Sequence, residues 1–210
     1  MDVTRGLATR LTFENGISRD AVWSADGERL IYSSNSEGRY AIYERPARSG
    51  GAAQFVTRGA GLITQSDDWT RDGRYVVYET QDPKTGLDLW LLEMNGNHAV
   101  TPLLRSEFNE FQARVSPDGH WLAYGSDESG RFEVYLQSFP TLGNKVQVST
   151  NGGFSPQWSG DGRELFFQSP DNAILSSHVQ TAPSLRFTPP VRLFRIPRRD
   201  KGSFAISTSA

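Results

Sequence analysis

Trp69-Thr70-Arg71-Asp72-Gly73, followed after two residues by Val76-Val77-Tyr78, decides the fold of this chain. Asp-Gly between apolar runs is a hairpin signal: glycine accepts positive φ at no steric cost, and aspartate bonds its own backbone in the turn. The hydroxyl of Thr70 can bond the same turn. The aromatic residue then ends one strand, and the apolar triplet begins the next.

The same phrase returns as Trp23-Ser24-Ala25-Asp26-Gly27, Val115-Ser116-Pro117-Asp118-Gly119 and Trp158-Ser159-Gly160-Asp161-Gly162. Its aspartates stand at 26, 72, 118 and 161, intervals of 46, 46 and 43 residues. After each glycine come Leu30-Ile31-Tyr32, Val76-Val77-Tyr78, Leu122-Ala123-Tyr124 and Leu165-Phe166-Phe167, and then the hydroxyls Ser34, Thr80, Ser126 and Ser169. A period of this length marks a repeat architecture.

Each unit contains two further strands. One lies around Ala41-Ile42-Tyr43, Leu89-Trp90-Leu91, Val134-Tyr135-Leu136 and Ile174-Leu175. The outer one lies around Gln54–Val56, Pro102–Leu104, Val146–Val148 and Val191–Phe194. Pro102 suits an edge, where one side of the strand needs no donor. Four antiparallel strands per 40–45 residues is the blade of a β-propeller. The chain therefore reads as all-β, a single propeller over 1–210, with blades at about 19–57, 66–104, 111–149 and 155–194. Thr9-Arg10-Leu11-Thr12 reads as the outer strand of a preceding blade, and Phe204-Ala205-Ile206-Ser207 as the inner strand of a following one. Four complete blades with a strand at each end predict part of a larger ring, with a closed four-bladed ring and a five-bladed one as alternatives. Open blade faces in such a partial ring would promote self-association.

Composition excludes several functions. The 210 residues carry a formal charge of −2, which gives no pull on nucleic acid. No cysteine is present, so thiolate metal sites and disulfides are ruled out. No apolar run approaches the length of a membrane helix, and Met1–Gly6 does not read as a signal peptide. Asp26, Gly27, Asp72, Gly73, Asp118, Gly119, Asp161 and Gly162 recur in identical context and read as turn residues, each at its own hairpin tip. His98, His120 and His178 show no ligand spacing, and no serine sits in a Gly-x-Ser-x-Gly elbow. Neither cofactor, metal site nor catalytic residue is expected. The basic group Arg195, Arg198, Arg199 and Lys201 reads as a solvated loop.

Where the chain enters the inner strand of each blade, the polar residues differ between repeats while the core columns agree. These are Arg19 and Asp20, Asp67 and Asp68, Gln112 and Arg114, and Gln157. Such variable positions on a rigid scaffold are candidates for a channel-mouth binding surface, together with the loops 58–65, 105–111, 149–156 and 195–202.

The column Trp-Ser-x-Asp-Gly-x-x-Leu-x-Tyr resembles the TolB-like, WD40-like propeller repeats of bacteria. Asp82 to Trp90, Phe108-Asn109-Glu110, Ser116–Gly119, Ser126–Arg131, Val134-Tyr135, Gln137–Pro140 and Val148–Gly153 are similar to the C-terminal propeller of bacterial membrane-bound serine/threonine kinases. The chain departs from the pattern at Val115, where tryptophan is commoner, and at Ser209-Ala210, where Asp-Gly is expected. The resemblance implies a non-catalytic sensor or interaction module on the periplasmic or extracellular side of the membrane. Its partner would be a protein, a peptide or a small polar ligand. None of the kinase's own motifs is present in these residues. Two alternatives are a gating propeller like that of the prolyl oligopeptidases, with the catalytic domain elsewhere, and a periplasmic scaffold.

Overall fold

A computed structural model describes residues 10–48, 51–59, 61, 63–181 and 183–197. These residues form strands joined by turns and contain no helix. The first sheet is β1 (Ser18–Trp23), β2 (Arg29–Ser34), β3 (Ala41–Pro46) and β4 (Gln54–Thr57). The second is β5 (Thr64–Trp69), β6 (Tyr75–Asp82), β7 (Gly86–Glu93) and β8 (Val100–Leu104). The third is β9 (Glu110–Val115), β10 (Trp121–Ser126), β11 (Glu133–Ser138) and β12 (Lys145–Gln147). In each, neighbours in sequence are neighbours in space and run antiparallel. This is the blade expected from the repeat.

The fourth sheet adds a feature that the sequence pattern hid. β13 (Phe154–Trp158) and β14 (Glu164–Gln168) pair with β15 (Ala173–Gln180), which is long enough to carry two outer partners. β16 (Arg186–Phe187) takes its end at Val179–Gln180, and β17 (Val191–Arg195) takes its start at Ala173–Ser176. Among residues 10–12, the described part of the expected leading strand, no ladder forms. Instead Leu11 packs against Leu30, Tyr32, Ala41 and Tyr43 on the outer face of the first sheet. Apolar cover meets the burial requirement there without strand pairing. The expected trailing strand at Phe204–Ser207 lies outside the described residues.

The four turns share one hydrogen-bond circuit. In the first, Ser24 Oγ donates to Asp26 Oδ1 at 2.5 Å and accepts from Arg29 N at 3.0 Å, while Glu28 N donates to Asp26 Oδ1 at 2.9 Å. Thr70 with Asp72, Ser116 with Asp118 and Ser159 with Asp161 repeat it. The Ser24 hydroxyl bond, reinforced by the Glu28 amide, holds the Asp26 carboxyl below its ordinary range. The aspartates are thus acceptors within their turns.

Stacking places three apolar layers between adjacent sheets. Ile31 and Ile42 meet Trp69, Val76 and Tyr78 between the first and second. Val77 and Leu89 meet Ala113, Leu122 and Tyr124 between the second and third. Ala123, Val134 and Leu136 meet Leu165, Phe167 and Val179 between the third and fourth. Alternate residues of one triplet therefore serve opposite layers: Val76 faces back and Val77 faces forward. This two-sided burial is why the triplets are uninterrupted hydrophobic runs rather than alternating ones.

Gly73 has φ of +73° and open space where a Cβ would lie. Gly73→Ala is therefore expected to cost about 1 kcal/mol through backbone strain alone, read as a lower denaturant midpoint with unchanged slope. At the edge of the fourth sheet, Val191, Leu193 and Phe194 are exposed. Concentration-dependent light scattering of the chain should weaken in a L193S/F194S double variant.

Candidate functional site

The innermost strand of each sheet has one edge with no neighbour in its own sheet, so its amides need other partners. The preceding sheet supplies them. Ser66 N donates to Ser33 Oγ at 3.0 Å, and Gln112 N donates to Glu79 Oε2 at 2.8 Å. Ser33 and Glu79 occupy equivalent positions on β2 and β6, opposite Arg19 and Gln65. The third equivalent is Gly125, which has no acceptor side chain. A Cβ there would lie 2.8 Å from the Phe111 ring. At that junction Gln112 reaches forward, and its Oε1 accepts from Ser155 N at 2.8 Å.

Each inner strand is also bulged at this level. The pairing register shifts between Arg19 and Val22, between Ser66 and Asp68, opposite Ala123–Gly125, and between Phe154 and Gln157. Asp20, Gln112 and Ser155 take positive φ of 54°, 54° and 53°. A bulge re-aims the residues that follow it. It divides the candidate residues into two groups along the strand.

Arg19, Asp20, Asp67 and Gln112 lie at the level of the bulge. Arg19 Nε meets Asp20 Oδ2 at 3.2 Å, its Nη2 donates to Gln65 Oε1 at 3.3 Å, and its guanidinium lies 4.2 Å from the Tyr40 ring centre. Asp67 is 7% exposed, and its Oδ2 has no hydrogen-bond partner among the described residues. Burial pushes its carboxyl well up, Glu79 adds to the rise, and Arg114 opposes it. Glu79, Asp68 and Asp20 are also raised, in each case first by burial. Arg114 favours the ionised form of all four carboxyls, which makes it the electrostatic centre of the group.

Asp68, Arg114 and Gln157 lie beyond the bulge, toward the Asp-Gly turns. They line a pocket of about 270 Å³ to which all four sheets contribute. Trp23 comes from the first sheet, Trp69 and Arg71 from the second, Arg114 and Val115 from the third, and Gln157 and Trp158 from the fourth. Both oxygens of Asp68 are engaged by backbone amides: Oδ1 accepts from Trp69 N at 3.0 Å and Oδ2 from Val115 N at 2.7 Å. Arg114 Nη1 donates to Asp67 O at 2.5 Å and Ala113 O at 2.8 Å. Arg71 reaches across the pocket, where Nη2 donates to Gly160 O at 2.9 Å.

Sequence reading missed Glu79, Arg71 and Trp23 as members of this region. Glu79 lies on the second strand of its blade, in a column that runs Ser33, Glu79 and Gly125, and its variation was a usable signal. Arg71 stands inside the turn phrase, at the position where no two of the four turns agree: Ala25, Arg71, Pro117 and Gly160. Trp23, which ends its inner strand as the repeat predicts, is half exposed, whereas its equivalent Trp69 is buried. The three histidines stay apart in the structure: His178 Nδ1 meets Glu164 Oε1 at 2.9 Å, His120 N donates to Asp118, and His98 sits in a turn with φ of 54°. Among the described residues, no three His, Asp or Glu side chains are placed to hold a metal ion, and no helix is long and apolar enough to cross a membrane.

This architecture is that of a β-propeller of four-stranded blades, with a pocket where the inner strands reach their turns. No family model matches the chain. Among the solved structures that share the fold are two named TolB. The putative TolB from Agrobacterium tumefaciens has a TM-score of 0.68 at 21% identity, over 83% of this chain and 65% of that one. TolB from Acinetobacter baumannii has a TM-score of 0.66 at 21% identity, over 89% of this chain and 46% of that one. The fold is therefore a TolB-like propeller. Prolyl oligopeptidase B from Galerina marginata is more distant, with a TM-score of 0.56 at 11% identity over 82% of this chain and 26% of that one. In sequence, an uncharacterized protein of Agrobacterium fabrum is 24% identical over 170 residues, 80% of this chain and 55% of the relative. The chain thus spans about half to two thirds of the length of these bacterial relatives.

A second acidic group marks the junction between the second and third sheets. Glu110 is 3% exposed, with Oε1 bonded by Ser106 Oγ, and its Oε2 and Asp88 Oδ1 lack partners among the described residues. Burial pushes Glu110 from its ordinary 4.5 to about 7. The folded chain then keeps a proton that the unfolded chain has released. Stability from this group is complete below about pH 4.5 and falls as pH rises to about 7. Glu110→Gln is expected to flatten that slope and to stabilise the protein by about 1–2 kcal/mol at pH 8, measured by denaturation from pH 4 to pH 8.

Proposed function

We propose that this chain is a non-catalytic, TolB-like propeller module that binds a protein or peptide partner through its channel. One observation carries the reading. Side chains from all four sheets converge on one pocket at the turn end of the inner strands, and beside the recurring Trp23, Trp69 and Trp158 its polar members Asp68, Arg71, Arg114 and Gln157 differ from blade to blade. A repeat that served packing alone would place equivalent residues there, as it does in the buried columns of Tyr32, Tyr78, Tyr124 and Phe167. Rigid blades hold the pocket residues in place before a partner arrives, which lowers the ordering cost of binding.

Arg19, Asp20, Asp67 and Gln112 extend the proposed surface to the level of the bulge. Arg19 and Asp20 supply its solvent-facing part, while Asp67 and Gln112 hold the adjoining sheets together. Attachment to a membrane-bound serine/threonine kinase, with the propeller on the periplasmic or extracellular side, is a further part of the proposal. It rests on the sequence resemblance. An in-frame kinase and membrane helix encoded upstream would support it. A Gly-x-Ser-x-Gly-bearing domain encoded downstream would instead favour the peptidase-gating alternative, which has the distant fold likeness behind it.

A photo-crosslinking residue at Gln157 tests the channel. Adducts with a partner are expected there and not at Thr101, on the outer strand of the second sheet. The Gln157 adduct should fall at least tenfold when Arg71 is changed to Glu. Equal crosslinking at both positions, or none at Gln157, refutes a channel site.

A further inference from the structure

The charge inside the turn-end pocket is unbalanced. Arg71 and Arg114 bring two guanidinium groups to its wall, and Asp68 is its one acidic lining residue. Asp68 does not neutralise them by direct pairing, because its two oxygens accept the Trp69 and Val115 amides. Arg114 makes its hydrogen bonds to Asp67 O and Ala113 O through Nη1, which also lies 4.0 Å from Asp67 Oδ1, so the buried carboxyls behind the wall offset part of its charge and Arg71 carries most of the excess. Arg71 uses Nη2 on an uncharged carbonyl, Gly160 O, from the opposite side of the pocket. A Cβ on Gly160 would meet nothing within 4 Å. The remaining wall includes the indoles of Trp23 and Trp158 and the Gln157 amide.

From this arrangement we infer that the pocket recognises a carboxylate carried next to an apolar or aromatic group on a peptide. The inference rests on the pocket being the binding site proposed above. Arg71 is the exchangeable element. Its bond to Gly160 O has a charged donor but a neutral acceptor, whereas a guanidinium–carboxylate bond pairs opposite charges and can be bidentate. An incoming carboxylate therefore displaces the carbonyl and engages Arg71, with Arg114 beside it. The neighbouring apolar group lies against the indoles, and Gln157 has both a donor and an acceptor for the peptide backbone. About 270 Å³ takes a carboxylate and the group beside it, so recognition is local. A cationic side chain is disfavoured by the same two guanidinium groups.

The carboxylate can be a peptide C-terminus or an acidic side chain, and three probes separate these sources. They are N-acetyl-phenylalanine, N-acetyl-Phe-Asp-amide and the neutral N-acetyl-Phe-Asn-amide, each titrated into the isotope-labelled chain at constant ionic strength. The indole N–H signals of Trp23 and Trp158 report occupancy. At least one acidic probe is expected to shift them saturably, with affinity at least tenfold above the neutral peptide, and the better acidic probe identifies the source. Arg71→Gln should remove most of that preference while leaving the rest of the amide spectrum in place, which shows that the variant is folded. Arg71→Lys should restore part of it. Equal affinity for the neutral peptide, or acid preference that survives Arg71→Gln, overturns the carboxylate inference but leaves the pocket as a binding site. Absence of saturable shifts with all three probes overturns both this inference and the use of the pocket.

Discussion

The free edge of the innermost strand is the constraint on which the rest of this structure depends. Stacking sheets around a channel leaves the inner strand's amides without a ladder partner, and a buried, unbonded amide is costly. The chain answers by making each sheet the partner of the next. Ser33 serves Ser66, Glu79 serves Gln112, Asp68 serves Val115, and Gln112 serves Ser155. Hydrophobic layers hold the sheets face to face, but these polar bonds set how the inner strands meet. The same need accounts for carboxyl groups deep between the second and third sheets, where apolar residues would otherwise be expected.

That solution has an electrostatic consequence. Carboxylates placed to accept amides lose solvation, and Asp67, Asp68 and Glu79 are all raised by burial. Arg114 opposes the rise for each of them and also reaches the wall of the turn-end pocket. Structural roles and the proposed recognition role therefore share residues in this channel. Asp67 and Gln112 are spent mainly on the junctions, whereas Arg71, Arg114 and Gln157 border the open volume.

How much of this was legible in the sequence depends on the range of the interaction. The Ser24–Asp26 circuit and its three copies are contained within six residues, so the phrase itself specified them. Runs such as Val76-Val77-Tyr78 announced two-sided burial because both faces of the strand are apolar. The long strand Ala173–Gln180 was harder, because its two outer partners lie at 186–187 and 191–195 and only one has a strongly apolar signature. The candidate binding residues were found as variable polar positions, yet their separation into two levels was not visible. It arises from the bulge, which depends on pairing with the neighbouring strand rather than on local composition.

By itself, then, the sequence determined the repeat, the turn chemistry, the four-stranded blade and the apolar columns, because each rests on contacts within one unit or on a periodicity that survives from unit to unit. Tertiary structure alone decided which side chains meet across the junctions. It placed Glu79 beneath the Gln112 amide, let Gln112 replace the acceptor that Gly125 lacks, and carried Arg71 across to Gly160. Those contacts join residues more than thirty positions apart. They follow from how neighbouring sheets are stacked and twisted, a geometry that no single stretch of chain contains.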